Sequence, residues 1–325
     1  RSLRAHVSVT ETLGQAAEAR LDAGGVSEIS DLYDGFLLDQ YGVLHDGERP
    51  LPGALECLSE LRRAGKRLTV VSNSPCEGVR MEARLRKLGL DPELFDGLVT
   101  SGDLVRRHLD ELLRAASGGP APRVAYISHV EHERRAVWSP EELRSLGFEL
   151  ASRVEDADFV LANGVEVCFK GTPAAAFSNF ERDADDWGPL RALLEGAAER
   201  ALPLVVANPD RVIVRADGSM VNCPGLLADE YERLGGPGPR CFGKPGQEIF
   251  SEARSSLAAL GAARVCHVGD SLHHDIGGAQ AADLPTLFVR GGIHAVELSD
   301  GAELLNLCAR YGAAAPTHVV PFFNW

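Results

Sequence analysis

The segment Phe36-Leu37-Leu38-Asp39-Gln40-Tyr41-Gly42-Val43-Leu44-His45-Asp46-Gly47 constrains the fold more than any other part of the chain. A short apolar run ends in an aspartate, and a glycine-containing turn follows at once. That pattern puts a carboxylate at the carboxyl end of a buried strand, where open α/β sheets carry their chemistry.

The segments that follow repeat the theme. Pro52-Gly53 opens a helix with apolar residues at Leu55, Leu58 and Leu61, and Gly65 closes it. Leu68 to Val71 is a β-branched strand running into Ser72-Asn73-Ser74-Pro75, a helix spans Gly78 to Leu88, and Gly97 to Ser101 reads as a third strand end. Strand and helix alternating at this spacing predict a doubly wound parallel sheet. Upstream, Val9 to Leu21 reads as a leading helix. Downstream, Ser117 to Pro122 and Gly235 to Pro239 are breaker clusters, and between them Val124–Ile127, Phe159–Ala162 and Leu204–Ala207 are strand candidates. The expected organisation is a discontinuous core domain of residues 1–102 and 238–325 interrupted by an α/β cap at 103–237. In the last part, Pro245 to Leu260 reads as a helix, Arg264 to Val268 as a strand ending in Gly269-Asp270-Ser271, and Leu287 to Val289 as the last core strand.

Composition narrows the function classes. Lys plus Arg number 33 against 47 Asp plus Glu, a net charge of −14. Such a surface repels nucleic acid and anionic membranes, so neither is expected as a partner. An anionic substrate would need a local site, built from a metal ion or helix amino termini. No apolar run reaches membrane-spanning length. The seven cysteines are scattered without a CxxC pair, which reads as reduced, mostly buried thiols in a reducing compartment. The chain opens at Arg1, and Arg1 with Arg4 fits the remnant of a cleaved targeting peptide. The expected location is the cytoplasm, or an organelle stroma or matrix after removal of such a peptide.

Four strand-end signals line up in order: Asp39 with Gly42; Ser72-Asn73; Gly243-Lys244-Pro245; and Gly269-Asp270-Ser271-Leu272 with Asp275. Singly each is weak; together they are specific. The set resembles the haloacid dehalogenase superfamily, and within it subclass IIA, the group of NagD-type and p-nitrophenyl phosphatases. The resemblance runs from about Tyr33 to Gly292 and includes Ala207-Asn208-Pro209-Asp210, similar to a segment these proteins carry late in the cap. It implies a Rossmann-like core with an inserted C2-type α/β cap, and a magnesium-dependent phosphatase of a small phosphorylated metabolite. By resemblance, Asp39 is the nucleophile. The resemblance implies that Asp39, Asp270, Asp275 (directly or through water) and the main-chain carbonyl of Tyr41 hold the magnesium. Lys244 balances the clustered charge and holds nucleophile and phosphate, while Ser72 and neighbouring amides donate to the phosphoryl oxygens. Asn73, Asn208, Asp210 and Asn163 are candidate substrate contacts. Dimerisation through the cap is consistent with the resemblance.

One position departs from the family. A second aspartate, the general acid and base, usually stands where this chain has Tyr41. Losing such a group costs about 10²- to 10⁴-fold, and a phenol with a pKa near ~10 is a poor base at neutral pH. Turnover is therefore expected to be slow, or to need a good leaving group or a surrogate acid, for which His45, Asp46 and Asp210 are candidates. Tyr41 also supports an alternative, a catalytically impaired member acting as a structural or regulatory subunit with a protein partner. A minor alternative is a haloacid dehalogenase, whose first motif also carries a tyrosine. The acidic pair Asp270 and Asp275 and the lack of room for an early cap argue against it.

Other conspicuous residues have bland readings. His267 in an apolar strand reads as a satisfied core histidine, and His273-His274 as solvated loop residues. Cys76 lacks an evident activating base. The acidic run Glu181 to Asp186 reads as solvated surface, and Trp138, Trp187 and the terminal Phe322-Phe323-Asn324-Trp325 as packing residues.

Overall fold

The computed structural model describes residues 23–131, 138–214, 219–299 and 302–325. The leading helix expected at Val9 to Leu21, and the basic start at Arg1 and Arg4, lie outside the described residues. The chain forms two compact units. One contains the described residues up to Val71, Leu88–Gly97 and Phe250–Trp325; the other contains Ser72–Lys87 and Leu98–Ile249.

A six-stranded sheet uses β1 (Gly35–Leu38), β2 (Arg67–Ser72), β3 (Gly97–Thr100), β13 (Val265–Gly269), β14 (Thr286–Val289) and β15 (His318–Val320). Its order is β15-β14-β13-β1-β2-β3. Every residue of β1 is buried, as a parallel strand covered on both faces requires. Phe36, Leu37 and Leu38 are each fully buried, which by area contributes about 1.5–3 kcal/mol apiece. β1 pairs in parallel with β13 and β2, and Leu38 stands opposite both Val268 and Val70. The carboxyl ends of these central strands are thus level. The Asp39 N–H extends the ladder by donating to the Val268 carbonyl at 2.9 Å.

Two sequence expectations change here. Leu287–Val289 is not the final strand: β15 pairs with β14 beyond it. Its three apolar-to-polar residues, His318-Val319-Val320, are too few to stand out as a periodic run. In the helix Ala54–Arg63 the buried face is Ala54, Cys57, Leu58 and Leu61, while Leu55 is exposed. Leu55 lies about 100° around the axis from Ala54, off the apolar stripe.

The second unit has a five-stranded sheet of order β12-β9-β6-β4-β5. Its strands are β4 (Arg123–Ile127), β5 (Glu149–Leu150), β6 (Phe159–Ala162), β9 (Leu204–Val206) and β12 (Arg240–Cys241). The three strands read from sequence form its centre. The two-residue edges β5 and β12 carry no readable period. Antiparallel ribbons β7 (Val167–Cys168) with β8 (Ala176–Phe177), and β10 (Val212–Val214) with β11 (Met220–Asn222), complete the unit. Ile127, Val160, Leu194, Leu204 and Tyr231 belong to one buried cluster that holds sheet and helices together. Among the described residues no helix is long and apolar enough to cross a membrane.

Candidate active site

In the first unit, Asp39 follows β1, Asp270 follows β13, and Asp275 sits in the π-helical turn Leu272–Gly277 just beyond. One carboxylate oxygen from each lies within 4.8 Å of the others. All three residues are buried. Carboxylates at this separation repel strongly unless positive charge or donors compensate.

The backbone around them is shaped for close approach. Gly42 adopts φ 83°, and a Cβ there would overlap the Asp270 carboxylate. Gly292 faces Asp270 with the same lack of space, and the neighbouring Ile293 N–H donates to Asp270 Oδ2 at 2.7 Å. Asp275 accepts from the Ser271 N–H at 3.0 Å, and its other oxygen lies 2.9 Å from His267 Nε2. A π-turn at this point fits the general finding that such distortions gather at functional sites.

The turn after Asp39 is tied by its own backbone, with the N–H groups of Val43, Leu44 and His45 all directed to the Gln40 carbonyl. Tyr41 is half-buried, its ring set edge-on to His45 at 5.8 Å between centroids. His45 is buried and accepts the Gly47 N–H at Nδ1. Asp46 caps its own turn, accepting from the N–H groups of Glu48 and Arg49 at 2.9 Å each.

In the second unit, Asn73, Asp210 and Lys244 come together. The Lys244 N–H donates to Asn73 Oδ1 at 2.6 Å, and Asn73 Nδ2 donates to the Lys244 carbonyl at 2.9 Å and to Asp210 Oδ1 at 2.8 Å. Gly243, at φ 125°, has no space for a Cβ between Ser101 and Asn73. Both ends of the Asn73 amide are therefore spent on holding the Gly243-Lys244 segment, a structural task where sequence reasoning anticipated a substrate contact. Asn208 Oδ1 accepts the Asp210 N–H at 2.9 Å, an Asx turn. Ser72 is buried and accepts the Ser74 N–H. Asn163 is fully buried and donates to the Tyr126 hydroxyl.

Burial pushes the Cys76 thiol up to about 11, which leaves it protonated and unreactive at neutral pH. No disulfide joins the seven cysteines, and Cys241 alone of the seven is exposed. Trp138 is buried, and Trp187 packs on Phe180 at 4.2 Å between ring centroids. Of the terminal aromatics, Phe323 is buried while Phe322 is exposed. The expectation for Glu181 fails: it is buried, beside His129 and Glu166, whereas Arg182 to Asp186 are exposed as anticipated. Nothing in a polar run of this kind distinguishes the one residue that turns inward.

A parallel sheet with carboxylates gathered at level strand ends, plus a second α/β unit inserted in the chain, defines a Rossmann-like α/β fold with a cap. A family model described as haloacid dehalogenase-like hydrolase matches residues 36–130, and a second, HAD-hydrolase-like, matches residues 241–323. Human chronophin is 30% identical over 285 residues, covering 86% of this chain and 88% of its own length. A haloacid dehalogenase-like hydrolase from Brucella suis 1330 superposes with a TM-score of 0.70 at 27% identity, covering 92% of this chain and 99% of its own. Glycerol phosphate phosphatase from Mycobacterium tuberculosis, solved in complex with magnesium, gives a TM-score of 0.54 at 26% identity, covering 85% of this chain and 73% of its own. The chain belongs to the haloacid dehalogenase-like hydrolases and is a hydrolase of the phosphatase type.

Proposed function

We propose that this chain is a magnesium-dependent phosphatase acting on a small phosphorylated metabolite. The observation that carries the reading is the meeting of three buried carboxylates, Asp39, Asp270 and Asp275, beyond β1 and β13. The donor set is all oxygen, which suits a hard cation such as Mg²⁺ that keeps several of its own waters. Those three side chains and the Tyr41 carbonyl would hold it. When bound, the cation supplies charge neutralisation at the phosphoryl oxygens.

Asp39 attacks phosphorus in line with the leaving oxygen, forming an aspartyl-phosphate that water then opens. The Ile293 N–H holds Asp270 in place. The roles of Ser72 and Lys244 toward the phosphoryl group rest on the family resemblance. The magnesium complex of the M. tuberculosis relative, and the glycerol phosphate in its name, support a small phosphate ester as substrate class. Tyr41 makes the protonation steps slow, so substrates with good leaving groups turn over best.

A second reading is favoured by Tyr41 alone: a member that binds metal and ligand without turnover, serving as a regulatory or structural subunit. Phosphate release from p-nitrophenyl phosphate and a metabolite panel, with Mg²⁺ or EDTA, separates the two. Magnesium-dependent release that falls on the order of 10⁴-fold in Asp39→Asn supports the phosphatase. No release from any substrate, in protein that binds Mg²⁺, overturns it in favour of the second reading.

A further inference from the structure

His267 stands in the middle of β13, opposite Leu37 on one side and Thr286 on the other. All three are fully buried. An imidazole in so apolar a place needs a reason beyond packing, because an aliphatic side chain would fill the space without the cost of burying a polar ring. The reason is visible two strand residues and one turn later. Nε2 of His267 lies 2.9 Å from Oδ1 of Asp275, itself almost completely buried. An ionised carboxylate can only accept, so Nε2 carries the proton and donates. The Ser271 N–H takes the other oxygen, Oδ2, at 3.0 Å. Beneath both, Gly269 leaves no room between the strand and the Asp275 side chain. Asp275 is thus gripped at both oxygens and at its stem.

We propose that His267 is a positioning residue for the metal centre: it fixes the Asp275 carboxylate, and through it sets the affinity of the site and its preference for magnesium. This rests on the magnesium reading above. Partners behind a ligating side chain fix its orientation, and their loss typically costs about 10- to 100-fold in metal affinity. The effect is specific to the ion. Mg²⁺ demands a near-ideal arrangement of ligands, whereas Ca²⁺ accepts a variable one. A carboxylate released from His267 should therefore harm Mg²⁺ binding more than Ca²⁺ binding. Loss of packing alone would not discriminate between the ions.

The test is calorimetric titration of Mg²⁺ and, separately, Ca²⁺ into metal-free wild type, His267→Phe and His267→Gln. Phenylalanine keeps the ring and its edge-on contact with Phe250, whose centroid is 5.0 Å away, so the core is retained while the donor is lost. Glutamine places an amide N–H near the position of Nε2. The expected result is a loss of about 10- to 100-fold in Mg²⁺ affinity in His267→Phe, a distinctly smaller loss for Ca²⁺, and recovery of most of the Mg²⁺ affinity in His267→Gln. Thermal denaturation of the metal-free variants accompanies each titration. Unchanged Mg²⁺ affinity in His267→Phe overturns the proposal while leaving the magnesium reading intact. Equal losses for both ions, without recovery in His267→Gln, also overturn it and make His267 a packing residue. A wild type that binds no Mg²⁺ overturns both the proposal and the reading beneath it.

Discussion

Among the described residues, two groups of side chains bring ligand-type atoms within 4.8 Å of one another, and they differ in composition. Asp39, Asp270 and Asp275, in the first unit, are three anions on one small volume. His129, Glu166 and Glu181, in the second, place an imidazole between two carboxylates, with Nδ1 3.1 Å from Glu166 and 3.9 Å from Glu181. The Val130 N–H also donates to Glu166 at 3.0 Å. The second group carries donors and acceptors together, so it can be satisfied as a buried polar network. The first is made of carboxylates alone, the all-oxygen set that the proposed Mg²⁺ would take. In the second an imidazole stands among the carboxylates.

Three changes would break or sharpen that contrast. The largest effect belongs to Tyr41→Asp. Restoring a carboxylate beside the acidic group should raise turnover about 10²- to 10⁴-fold in steady-state assays with saturating Mg²⁺. An unchanged rate would mean that the missing carboxylate is not what limits this chain. Next comes Gly292→Ala, whose methyl group would press on the Asp270 carboxylate. Overpacking of this kind costs about 1–3 kcal/mol, and calorimetry should show weakened Mg²⁺ binding of roughly tenfold or more, following from that range. Affinity equal to wild type would show that Asp270 can move without consequence. The smallest effect on metal belongs to Glu181→Gln. It should leave Mg²⁺ affinity within about twofold while lowering stability by about 1–3 kcal/mol, read as a fall in the unfolding temperature. A large loss of metal binding there would assign the second group a role in the metal centre.

The same two groups show what could be read ahead of the coordinates. Asp39 and Asp270 each follow an apolar run with a glycine nearby, and such runs are visible one residue at a time. Asp275 is marked by its spacing from Asp270 and by the family resemblance. His267 was readable as a core histidine, but its partner was not, because the bond to Asp275 depends on the chain turning back through a π-turn. Asn73 looked like a phosphate or substrate contact because it stands at a strand end. Its amide is instead closed onto Lys244 and Asp210, more than a hundred residues away. Glu181 sits in a run whose other members are exposed, and no local pattern marks the residue that turns toward His129.

What the sequence determined by itself is therefore local and periodic: the buried strands, the carboxylates at their ends, the glycines that allow close approach, and the substitution at position 41. Strand register then carried those ends to one level, since Leu38 stands opposite both Val70 and Val268. Only the tertiary structure decided which polar groups face one another across long separations, and so which are spent on holding the fold and which remain for chemistry. Hydrophobic periodicity is written along a segment, but a hydrogen bond between distant residues is set by where two segments meet.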